Sequence, residues 1–313
     1  MSINTVSELV VYGLAGLCLW HAYKQGRGWL AVYLGACLNG FVLEYAAVRT
    51  DVDYEYARFM IMIPSGGCPD SPMGSECVGA VPLWIALGWG FVVYLAMQTS
   101  MRLDMAWYLK PAHDALLAVN FDWLMDPIAV KLGWWIWDKP GQYFGVPLDN
   151  YFGWIICVGG FSLSVRAMRR YLFRNNAKLN ANLTPFLAVL TGPLIVYGAI
   201  KAYMFVWHNM GVSPWFILGV TLVFIYSISL AHWSSKVSTQ KPDWLIIGSG
   251  FSFQLYFWVL LWSYGVFSEH PALITLSMLT LMVTWFGYTN PYAIKWIEDV
   301  VSATGDAGEN QNL

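Results

Sequence analysis

Residues 120–154 read NFDWLMDPIAVKLGWWIWDKPGQYFGVPLDNYFGW, setting Asp122, Asp126, Lys131, Asp138 and Asp149 among a dense run of tryptophan, tyrosine and phenylalanine. Whether the first half of this stretch crosses a bilayer decides the fold. Its surroundings are membrane-grade hydrocarbon, where ionisable groups are costly and tend to be functional. Segment 112–137 has the length of a span, about 20 residues, yet carries His113, Asp114, Asp122, Asp126 and Lys131.

Working outward, the apolar runs 6–23, 29–48, 79–100, 183–207, 214–233, 243–267 and 271–288 are each long enough to cross a bilayer as a helix. Segment 151–167 is shorter and holds one charge, Arg166. Only 12% of the 313 residues are charged and 58% are hydrophobic. Soluble domains carry about 25% charged residues, so lipid is the solvent. With segment 112–137 the count is nine spans, within a range of seven to nine.

Loop charge tests the count independently. With the amino terminus outside, the inner loops hold Lys24, Arg27, Arg102, Lys110, Arg166, Arg169, Arg170, Arg174, Lys178, Lys236, Lys241 and Lys295. The outer loops hold only Arg49, Arg58 and Lys139. That asymmetry is what the positive-inside rule requires, and removing segment 112–137 would put the most basic loop outside. The expectation is an all-α polytopic membrane protein, amino terminus out and carboxyl terminus cytoplasmic. Residues 1–300 form one bundle with a long outer connection, 48–78, and residues 301–313 form a disordered cytoplasmic tail. The first six residues lack the basic leader of a cleaved signal peptide, so the first span is expected to be retained. Cys68 and Cys77 lie in the outer connection, where an oxidising compartment allows a disulfide or leaves two thiols.

The chemistry narrows by what the chain does not carry. A net charge of −2 offers no basic field for nucleic acid. No two of the five histidines stand three or four residues apart, so no helix presents a histidine pair to a metal. No glycine-rich phosphate loop or dinucleotide fingerprint is present. A carboxylate system remains. Asp122 and Asp126, spaced i and i+4, share a helix face, where repulsion and burial keep at least one protonated near neutrality. A neutral acid in an apolar pocket is what general acid catalysis needs. The alternative is an ion network that only ties helices together. Glu44, near the outer end of the second span, is a third candidate, and Lys131 could partner an acid. Trp134, Trp135 and Trp137 suit the outer interface, and the aromatic run could instead face a cation. Asp149 and Asn150 stand where either could cap the next span.

The blocks DPIAVKLGWWIW and GQYFGVPLDNYFGW resemble the membrane carotenoid biosynthesis proteins of the CruF type, as do VPLWIALGWGFVVYLA and the acid at Glu44 before an extended loop. The resemblance covers roughly residues 44–154. Tyr151 and the CPDSPMGSEC loop mark a divergent member. It implies a carotenoid hydratase of a bacterial or archaeal cytoplasmic membrane, adding water to the terminal double bond of an acyclic ψ-end without metal or redox cofactor. The partners are then a lipophilic polyene and membrane lipid. In that reading Asp126 or Asp122 donates the proton, Glu44 supports it, and Asp149 or Asn150 positions water. Trp134, Trp137, Tyr143, Phe144, Trp154 and Lys131 are the substrate-binding candidates. Two other readings stay open. Asn120, Asp122 and Asp126 spell a fragment of the magnesium-diphosphate motif of UbiA-like prenyltransferases, and the same charges could serve a polyene-binding or transport protein.

Overall fold

Gly26 turns the chain between its first two helices with φ 107°, a backbone angle that glycine adopts without steric penalty. Before it lies α1 (Ile3–Gln25), opened by the Ser2 hydroxyl accepting from the Thr5 amide at 3.2 Å, and after it α2 (Arg27–Ala47). The computed structural model describes residues 2–49, 54–64, 79–172, 175–232 and 242–289. The helices that follow are α3 (Leu83–Ser100), α4 (Lys110–Lys131), α5 (Leu148–Tyr171), α6 (Ala177–Met204) and α7 (Pro214–Ala231). Then come α8 (Trp244–Ser263), the single turn α9 (Val266–Glu269) and α10 (Ala272–Thr289). A π-helical turn, Phe205–Asn209, extends α6.

Eight of these helices are long and apolar enough to cross a membrane: all but α4 and α9. The chain is an all-α polytopic integral membrane protein. Helix α4 has the length, 22 residues, but too much charge. It fails a hydropathy test because it meets almost no lipid: most of its residues are buried, and α3, α5, α7 and α8 pack around it. Its polar groups find partners on α5 and α10. Asp114 takes Arg166 Nη2 at 2.9 Å and the Ser162 hydroxyl at 2.5 Å, and Asn120 donates to the Thr280 carbonyl and the Thr284 hydroxyl. Intramembrane ionisable groups facing the bundle interior follow this rule.

Helices α2 and α3 meet backbone to backbone. A Cβ on Gly40 would lie 2.3 Å from the Trp89 Cβ, and one on Gly90 would lie 2.1 Å from the Cys37 sulfur. Small residues at such crossings let membrane helices approach closely. At the end of the bundle where α2 stops and α5 begins, two short antiparallel ribbons close the structure. β1 (Tyr54–Tyr56) pairs with β4 (Trp135–Trp137), and β2 (Met62–Ile63) with β3 (Val81–Pro82). Cys68, Cys77 and the tail 301–313 lie outside the described residues.

Candidate active site

Asp122 and Asp126 project from one face of α4, both buried, and both receive the side chain of Asn150 in the first turn of α5. Asn150 Nδ2 donates to Asp122 Oδ2 at 2.9 Å and to Asp126 Oδ2. Among the described residues neither is ion-paired; the nearest lysine on the helix, Lys131, is half-exposed and bound to Glu269 at 2.6 Å. Pro127 follows the pair directly. Lacking an N–H, it leaves the Trp123 carbonyl without its helical donor, and the Tyr143 hydroxyl donates to that carbonyl at 3.3 Å. Trp123 in turn stacks on Tyr151 at 4.0 Å between centroids. The backbone between the two aspartates is thus held by the 141–151 segment.

Glu44, in the last turn of α2, is saturated with donors. Its Oε2 accepts from the Tyr54 and Tyr56 hydroxyls, the latter at 2.7 Å, and its Oε1 from Trp89 Nε1 at 2.8 Å. The ribbon register places Tyr54 opposite Trp137 and Tyr56 opposite Trp135. Burial, and then the charge of Glu44, push both phenols well above the usual tyrosine range, so they remain protonated donors.

Glu44, Asp126 and Asn150 line one cavity. Its walls are aromatic: Trp89 stacks on Trp154 at 4.3 Å, and Tyr54 meets Trp137 at 4.8 Å. Among the described residues no lysine, arginine or histidine lines it. The indole nitrogens of Trp84 and Trp137, both on the lining, are buried donors without an acceptor among the described residues.

Of the residues named from sequence, Glu44, Asp126, Asn150, Trp137 and Trp154 meet at this cavity, with Asp122 directly behind Asp126. Asp149 does not. It is exposed on the first turn of α5, because consecutive helical residues diverge by about 100° and Asn150 takes the direction toward α4. Neither residue caps that helix, which starts after Pro147. Lys131 is turned away to Glu269. Trp134 is fully buried, donating to Asn4 Oδ1 at 3.0 Å, rather than sitting at an interface. Tyr143 braces α4, and Phe144 packs on Tyr143 and His270. Sequence reasoning missed Tyr54, Tyr56, Trp89 and Trp135 as lining residues. The one signal for Trp89 is its place in the VPLWIALGWG block.

A buried acid pair and a third carboxyl group thus meet at an aromatic cavity inside a helical membrane bundle. The model of a family described as carotenoid biosynthesis proteins matches residues 6–222, and the chain belongs to that family. It is also 32% identical over 105 residues to bisanhydrobacterioruberin hydratase of Haloarcula japonica. That match spans a third of this chain, 33%, and 33% of the relative's own length. No solved structure matches the chain.

Proposed function

We propose that the protein is a carotenoid hydratase, adding water to the terminal C=C of an acyclic carotenoid. The observation that carries the reading is the meeting of Asp126, Asn150 and Glu44 at one aromatic cavity. Asp126 faces the cavity, and Asp122, behind it, shares the amide of Asn150. With no base beside them, the two acids hold one proton between them, and Asp126 delivers it. The alkene π electrons form the new C–H bond on the less substituted carbon, leaving a tertiary cation. A water oxygen then bonds to that cation and returns a proton to the carboxylate, so the acid is regenerated. Nothing is oxidised or reduced, so the reaction calls for no redox cofactor. Asn150 has its carbonyl oxygen free of the two acids and positions the water.

The prenyltransferase reading fits less well. A prenyl diphosphate would meet two acids and, among the described lining residues, no basic side chain, and Asn120 is engaged with Thr280 and Thr284 rather than with the aspartates. Co-expression with a pathway that makes acyclic carotenoids tests the proposal: a product heavier by one water is expected, and it disappears with Asp126→Asn. A folded Asp126→Asn protein hydrating at the wild-type rate would remove Asp126 from the mechanism. Unchanged mass for every acyclic carotenoid tried would remove the hydratase reading.

A further inference from the structure

The two acidic centres at the cavity are built differently. Among the described residues the Asp122–Asp126 pair receives one amide group, whereas Glu44 receives three donors: two phenols from β1 and an indole from α3. Donors aimed at a carboxylate favour its charged form. Three donors occupy both Glu44 oxygens as acceptors, the hydrogen-bond pattern of a carboxylate. Two kinds of carboxyl environment within one site are how a fold divides acid from electrostatic duty.

The walls point the same way. Ring faces of tryptophan and tyrosine attract cations, and aromatic cages are a recurrent means of holding quaternary ammonium groups. Here Trp89, the donor to Glu44, is itself stacked on Trp154, so the carboxyl group and the ring pair belong to one rigid unit. Tyr54 likewise links Glu44 to Trp137. A cavity with a half-buried carboxyl group, ring faces and no basic residue among its described lining attracts a positive charge on an apolar body and disfavours an anion.

We propose that this cavity is a binding site for lipophilic cations, with Glu44 as the counter-ion and Tyr54, Tyr56 and Trp89 as positioning residues that hold its carboxyl group facing the ring pair. The inference deepens the hydratase reading and rests on it for the natural cation, the tertiary carbocation formed after protonation. Selectivity for stable cations is a property of the ground-state protein and is measured without turnover.

The experiment compares two probes on the purified full chain in nonionic micelles at pH 7. One is a farnesyl-type chain ending in a trimethylammonium group, and the other is the same chain ending in tert-butyl, its neutral isostere. The wild type is expected to bind the ammonium at least about tenfold more tightly, a difference of about 1.4 kcal/mol. Glu44→Gln is expected to reduce that preference to about threefold or less while leaving affinity for the isostere, and Lys131→Met to leave it intact. Equal affinities in the wild type overturn the proposal, as does full preference in a folded Glu44→Gln protein. Should Glu44→Gln fail to fold, Tyr54→Phe/Tyr56→Phe decides: a weakened preference supports the proposal and an unchanged one overturns it. A protein that prefers the ammonium yet hydrates no carotenoid keeps the cation site and loses the hydratase reading. One that hydrates without the preference does the reverse.

Discussion

Asn150 ties α5 to α4 by giving both hydrogens of one amide nitrogen to two acids, Asp122 at 2.9 Å and Asp126 beside it. Removing that donor leaves two buried carboxyl groups with only each other. Hydrogen bonds to charged groups are worth about 1.5–3 kcal/mol. Asn150→Ala is therefore expected to lower the hydration rate about 10–100-fold, with Asp126→Asn losing more. Product formation per unit of folded protein measures it. An Asn150→Ala rate equal to wild type would mean that the amide does not orient the pair.

The Glu44 centre depends on how closely α2 meets α3. Gly40→Ala places a Cβ 2.3 Å from the Trp89 Cβ, and the helix backbones cannot give way without losing contact along their length. Overpacking of this kind costs about 1–3 kcal/mol. The indole is expected to shift off Glu44, so thermal stability in detergent and hydration should fall together. A variant that melts and turns over like wild type would contradict the close crossing.

Tyr143 and Pro127 form a compensating pair. Tyr143→Phe strands the Trp123 carbonyl, whose helical partner Pro127 has no N–H, at a cost of about 1–3 kcal/mol for a buried acceptor. Pro127→Ala supplies the missing donor. The double variant is thus expected to be less destabilised than the sum of the singles, a non-additivity that a double-mutant cycle in thermal or denaturant unfolding resolves.

The helical class was legible because bilayer crossing requires long apolar runs, and eight helices have them. Helix α4 needed the loop-charge argument, since its acids mask its length; its burial inside the bundle explains how those acids are accommodated. The aspartate pair was legible from spacing alone. Its separation from Asp149 was not, because adjacent residues at a helix start look equivalent until the facing helix is placed. Tyr54 and Tyr56 sit in what reads as a loop, and only the β1–β4 ribbon, linking segments some 80 residues apart, brings them to Glu44. Tryptophan is ambiguous in the same way: Trp134 reads as an interfacial ring and is a core residue.

At the opposite end of the bundle Asp243 caps α8 and accepts from both His21 Nε2 at 3.0 Å and Arg102 Nη2 at 2.7 Å, joining α1, α3 and α8. Burial alone would raise its pKa. The hydrogen bond from His21, with the charges of His21 and Arg102, outweighs that and holds it below the ordinary 3.8. A carboxyl group depressed in the folded state stabilises fully above its unfolded pKa and loses that contribution as pH falls through the folded value. Asp243→Asn should therefore melt below wild type at pH 7, and the gap should close as the pH drops below about 3.8. Melting in detergent at both pH values measures it; a gap that persists unchanged in acid would show that Asp243 contributes through packing and the helix cap rather than through its charge.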